Sequence, residues 1–119
     1  MKNTIKENRE FVYAYRKGDK EVSPYFVLYC VKNNSQYNKL GITVSKAIGK
    51  AHSRNRAKRI IREAYRDSFS QAKKGYNVVI VARERILDAP FEKVCLQMTN
   101  ALKKLELFDK TTDTGDRDA

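Results

Sequence analysis

The chain has no tryptophan, a single histidine (His52), two cysteines and two prolines among its 119 residues. Each scarcity excludes something. One histidine cannot supply the paired imidazoles of a protein nuclease, and no Cys/His cluster shows metal-site spacing. The carboxylates are scattered and mostly near basic residues, so a two-metal centre has no ligand set. Gly41 and Gly49 fit neither a Walker loop nor a dinucleotide-binding loop. Cys30 and Cys95 are too few for a disulfide framework; both sit in apolar patterns and read as buried free thiols in a reducing cytoplasm. No apolar run approaches the roughly 18 to 20 residues that cross a bilayer. The start, Met1 to Lys6, also lacks the apolar stretch of a secretion signal.

Positive charge is what the chain has in excess. Twenty-five Lys and Arg face fourteen Asp and Glu, a formal net charge of +11, while 41% of residues are hydrophobic. That apolar content supports one globular domain of this length. The charge imbalance costs self-repulsion on compaction, so a polyanionic partner is expected, either nucleic acid or an anionic membrane. Residues 50–74 hold nine Lys and Arg against Glu63 and Asp67, a net +7, whereas 109–119 hold four Asp against Lys110 and Arg117, a net −2. The organisation expected is a single domain over 1–108, folded from about Asn8, with a disordered acidic tail over 109–119.

Asn8 to Gly18 is ambiguous. Phe11, Tyr13 and Tyr15 alternate as in a strand, while Phe11, Ala14 and Tyr15 share a helical face. Asn8 as N-cap, Glu10 in the first turn, Arg16 and Lys17 in the last and Gly18 as stop favour a helix. Glu21 to Lys32 reads as a strand, Pro24 near its start, apolar on both faces and therefore covered on both over part of its length. A further short strand fits around Lys20 to Val22. After a turn at Asn33 to Gln36, Lys39 to Ser45 sets Leu40, Ile42 and Val44 against the small Gly41, Thr43 and Ser45, which leave room for something above them. A helix is expected over Ala51 to Ala72, about 33 Å long, followed by a strand over Tyr76 to Ala82. The two strands flanking this helix suggest a parallel βαβ unit. Asp88 is expected to cap a last helix with Pro90 in its first turn. The class is α+β, with two layers.

Within the long helix, Ala57, Ile60, Ile61, Ala64, Tyr65 and Ser68 form one stripe, and Lys58, Arg62 and Arg66 an i, i+4 row beside Asn55 and Arg59. Like charges four apart repel, which is tolerated more readily where phosphates lie alongside. Arg54, Arg59 and Arg62 suit forked phosphate contacts, Lys58 is a compact charge, and Asn55 suits sugar or base edges. A solvated helix face and a basic helix lying on a membrane are the alternatives. His52 reads as a solvated cap residue.

The run Ser45-Lys-Ala-Ile-Gly-Lys-Ala-His-Ser-Arg-Asn-Arg-Ala-Lys-Arg-Ile-Ile-Arg-Glu63 resembles the signature of the bacterial ribonuclease P protein subunit. Glu10-Phe11, Phe26 to Tyr29, Leu40 to Ser45 and Tyr76 to Ala82 agree with it, so the resemblance covers about residues 8–107. It implies the order α-β-β-β-α-β-α, a mixed sheet, and a left-handed crossover around the basic helix where right-handed is the general rule. It implies a protein that binds a large catalytic RNA, one per RNA, in the cytoplasm and without a membrane. Together they form the endonuclease that removes the 5′ leader of precursor tRNA, with hydrolysis carried by the RNA and its magnesium ions. The protein then has no catalytic residue and no metal or cofactor of its own.

Carried onto this chain, the resemblance assigns RNA contacts to Lys46, Lys50, Arg54, Asn55, Arg56, Lys58, Arg59, Arg62 and Arg66. It assigns a leader-binding cleft to Phe11, Tyr15 and Tyr29, whose aromatic faces suit unpaired bases. Phe11 and Tyr15 equally suit closing the edge of a core. Two departures stand out: a short N-terminal stretch with only Lys2 and Lys6, and Tyr15 where some relatives carry Phe. The rival readings are a general or ribosomal RNA-binding protein and a self-sufficient nuclease.

Overall fold

The computed structural model describes residues 4–68 and 73–105. The expected tail over 109–119, the end of the domain at 106–108 and the helix extension over 69–72 lie outside the described residues. The elements are α1 (Asn8–Lys17), β1 (Asp19–Val22), β2 (Phe26–Lys32), β3 (Lys39–Thr43), α2 (Ala51–Ser68), β4 (Tyr76–Ala82) and α3 (Phe91–Lys104), with short 3-10 turns at Lys46–Ile48 and Glu84–Asp88. This is the α-β-β-β-α-β-α order. The strands lie in the order β1-β2-β4-β3. β2 pairs antiparallel with both β1 and β4, and β3 pairs parallel with β4, so the sheet is mixed.

Alternation along the two central strands sorts the layers. Phe26, Leu28 and Cys30 of β2 stand beside Ala82, Ile80 and Val78 of β4 and pack against Ala57, Ile61 and Ala64 of α2 and Val94, Met98, Ala101 and Leu102 of α3. Burying each large apolar side chain there contributes about 1.5–3 kcal/mol. That sheet with two helices on one face is the two-layer body. Tyr29, Val31, Val79 and Val81 face the other way, where Ile5, Phe11 and Ala14 form a smaller cluster on them. The continuous apolar character of β2 thus reports cover on both faces, with α1 supplying the second.

Four local expectations are corrected. The segment from Glu21 to Lys32 is not one strand. Ser23 Oγ accepts the N–H groups of Tyr25 and Phe26 and donates to the Phe26 carbonyl, each at 3.1 Å, which turns the chain so that β1 folds back on β2. Glu7, not Asn8, is the N-cap of α1, and it makes no side-chain cap bond. Asp88 ends a 3-10 turn, and α3 starts after Pro90, which occupies the N-cap itself. The fold also begins before Asn8: Ile5 is buried and its N–H bonds the Leu40 carbonyl at 3.0 Å along the outer edge of β3. Cys30 is a buried free thiol and Cys95 a half-buried one. No described helix is long and apolar enough to cross a membrane.

Candidate nucleic-acid interface

The approach to α2 is built around Gly49. Ile48 is buried and anchors the 3-10 turn, and Gly49 follows with φ +133°, a conformation that side chains with a Cβ rarely adopt. Arg54 Nη1 donates to the Gly49 carbonyl at 2.7 Å. Arg54 is therefore partly committed to holding this corner. Lys46 and Lys50 on either side of Gly49 are exposed, and the first turn of α2 contains no acidic residue. A helix start already carries partial positive charge, so two lysines there make a strongly anion-attracting end.

Along α2 the buried residues Ala57, Ile61 and Ala64 fix which way the helix faces. The 100° step per residue then turns Asn55, Arg59, Arg62 and Arg66 outward as one band, with Lys58 half-buried along its margin. Arg56 points about 120° around the helix from Arg62, on the flank that carries Glu63. The predicted basic residues therefore fall into a coherent row, a corner pair at Lys46 and Lys50, and the displaced Arg56. The ion pairs among the described residues, Arg9–Glu7, Lys39–Glu10 and Lys104–Glu21, all lie outside α2. Lys58, Arg59, Arg62 and Arg66 have no carboxylate partner among the described residues. Tyr65, beside this band, is held against the core, and burial pushes its hydroxyl pKa far above the ordinary value. Among the described residues no group of three His, Cys, Asp or Glu side chains is arranged to hold a metal ion.

Phe11, Tyr15 and Tyr29 converge on the opposite face of the sheet, between α1, β2 and β3. The rings of Tyr15 and Tyr29 meet edge to face, centroids 5.0 Å apart and planes at 71°. The Tyr15 hydroxyl shares a hydrogen bond with Thr43 Oγ1 at 3.2 Å. Phe11 lies over Gly41, where the small residues of β3 leave space, and belongs to the α1-side core. Tyr15, 39% exposed, and the half-buried Tyr29 form the accessible aromatic rim.

Sequence reasoning passed over one cation. Arg83 continues β4 in extended conformation (φ −106°, ψ 154°), its N–H bonding the Tyr25 carbonyl at 2.9 Å. Alternation past Val79 and Val81 turns its side chain to the α1 face, and its Nη1 reaches the Ser23 carbonyl at 3.4 Å. The period of two in Val79, Val81 and Arg83 is a signal that could have found it. The cationic row and the aromatic rim thus occupy opposite faces of the sheet, with edge strand β3 between them.

Comparison with known proteins places this arrangement. The family model described as Ribonuclease P matches residues 1–106. The ribonuclease P protein component of Clostridium botulinum (strain Langeland) is 39% identical over 108 residues, spanning 90% of this chain and 97% of that protein. That of Clostridioides difficile (strain 630) is 38% identical over 104 residues, spanning 87% and 91%. Among solved structures, the RNase P protein of Staphylococcus aureus superposes with a TM-score of 0.78 at 30% identity, covering 90% of this chain and 98% of that one. The RNase P protein of Thermotoga maritima gives 0.75 at 30% identity, covering 85% and 96%.

Proposed function

The chain belongs to the ribonuclease P protein family, and we propose that it assists a catalytic RNA in removing the 5′ leader from precursor tRNA. The observation that carries this reading is the outward row of α2, where guanidinium and ammonium groups lie along the helix without carboxylate partners among the described residues. Such a row is destabilising by itself and becomes favourable when phosphates replace water and counterions along it.

The contribution is electrostatic and positional. Lys46, Lys50, Lys58, Arg59, Arg62 and Arg66 neutralise crowded phosphates of the catalytic RNA and of substrate near the cleavage site, and Asn55 hydrogen-bonds sugar or base edges beside them. Arg54 contributes through the corner it holds and Arg56 from the helix flank. Tyr15 and Tyr29 offer ring faces and edges to the unpaired leader, Phe11 supports them from beneath, and Arg83 adds a cation on the same face. Hydrolysis belongs to the RNA and its magnesium ions; the protein raises substrate and metal affinity there. One protein serves each RNA, in the cytoplasm.

Cleavage of precursor tRNA by a cognate catalytic RNA at low magnesium, with and without this protein, tests the reading. The protein should restore cleavage that the RNA alone loses as magnesium falls. Cleavage by the RNA-free protein in magnesium would overturn it in favour of a self-sufficient nuclease. Binding without preference for precursor over mature tRNA, and without stimulation, would make the chain a general RNA-binding protein.

A further inference from the structure

The helix that lines the aromatic rim has an unusual outer side. Ala14 is fully buried, which fixes the inward direction of α1. Arg9, Val12, Tyr13 and Arg16, spaced i, i+3, i+4 and i+7, therefore share the outward face. Such a face is ordinarily polar. Here Val12 is 40% exposed and Tyr13 53%, and with Arg9, Arg16 and Lys17 their side chains enclose a shallow surface depression. α1 packs by its other side onto β2 and β4.

Charge selects the occupant. Arg9, Arg16 and Lys17 frame the two apolar side chains. Of the two acids at this end of the helix, Glu7 pairs with Arg9 at 3.2 Å and Glu10 with Lys39 at 3.4 Å. That leaves Arg16 and Lys17 without a carboxylate partner among the described residues. A tyrosine ring between guanidinium groups offers stacking to a base and charge to its phosphates. The strip is also continuous with the rim along the helix surface: Tyr15 lies three residues on from Val12, about 60° around the axis. A basic protein surface would be repelled by these cations.

We propose that the outward face of α1 binds the upstream, unpaired part of the precursor leader. Tyr13 stacks on a base there, and Arg9, Arg16 and Lys17 contact the adjoining phosphates. This extends the leader track around the helix and rests on the function proposed above.

The test uses the assembled catalytic RNA and protein with two precursor tRNAs, one whose leader ends within the groove and one whose leader extends well beyond it. Tyr13→Ala should weaken affinity for the extended leader about tenfold, and Tyr13→Phe should retain it. Arg16→Ala should reduce the salt dependence of extended-leader binding only. All three variants should leave the short-leader precursor unchanged. Equal losses on both precursors would overturn the proposal, placing the strip on the catalytic RNA. Unchanged affinity on both, or a Tyr13→Ala effect confined to sedimentation of the free protein, would also overturn it, the latter pointing to a second copy as occupant. The parent reading is judged separately by whether the wild-type protein stimulates cleavage of the short-leader precursor at low magnesium.

Discussion

The ring of Phe11 occupies the space that a side chain at Gly41 would need. A Cβ built on Gly41 would lie 2.7 Å from Phe11 Cε1, 2.9 Å from Cζ and 3.2 Å from the Cβ of Ile5. Gly41 is thus the point where α1, the N-terminal segment and edge strand β3 are locked together, directly beneath the aromatic rim. Gly41→Ala should destabilise the protein by about 1–3 kcal/mol through overpacking. Urea unfolding followed by circular dichroism measures this. Leader affinity should fall with it, because Phe11 cannot yield without moving α1.

The outward row of α2 should behave as a ligand surface and not as a structural element. Arg62→Ala should weaken binding to the catalytic RNA and lower the salt slope by about 0.7–0.9 for each phosphate that the side chain had neutralised. Its unfolding free energy should stay within about 0.5 kcal/mol of wild type. Arg56→Ala, on the other flank, should cost less binding than Arg62→Ala. Titrations across a salt series beside denaturant melts decide the matter, and unfolding by Arg62→Ala would mean a structural group had been taken for an RNA-binding one.

The pair Tyr15–Tyr29 gives a prediction about substrate preference. Tyr29→Ala removes one ring of the rim and should lower affinity for precursor tRNA about tenfold more than affinity for mature tRNA. Fluorescence anisotropy with both RNAs measures the difference. Equal losses would remove the rim from leader recognition.

Cys30 carries a pH signature of the α2–α3 face. Burial, with a smaller contribution from Asp19 across the β1–β2 ladder, raises its thiol pKa from 9.0 to about 11. The native state therefore holds this proton where the unfolded chain has released it, so stability should be level below pH 9 and fall as pH rises from about 9 to 11. Cys30→Ala should flatten that part of the profile, read from urea midpoints across pH. At neutral pH, thiol reagents should modify Cys30 only as fast as the protein opens.

Local pattern carried much of this fold. The stripe Ala57, Ile61 and Ala64 set the inward face of α2, and its complement set the band of Arg59, Arg62 and Arg66, because one helical period governs both. The alternating Leu40 and Ile42 against Gly41 and Thr43 likewise announced a strand with space above it. Boundaries were less legible where a residue distant in sequence defines them. Gly18 ends α1 with ordinary φ −79°, not the left-handed stop its position suggested. Glycine fits there because a Cβ would strike the Ala14 and Cys30 carbonyls at 2.6 and 2.8 Å. The break at Ser23 depended on one hydroxyl satisfying two backbone donors, and the capture of Ile5 on an unpaired donor-acceptor edge of β3.

By itself, then, the sequence determined that one basic α+β domain forms and that its longest described helix turns a row of cations outward. These follow from periodicity and composition, which act within an element. Tertiary structure alone decided that the cationic row and the aromatic rim fall on opposite faces of one sheet. It also decided that Phe11 spends much of its ring on packing against Gly41 and Ile5. Those outcomes depend on strand order and on which face each helix covers, and neither is encoded in any single stretch of residues.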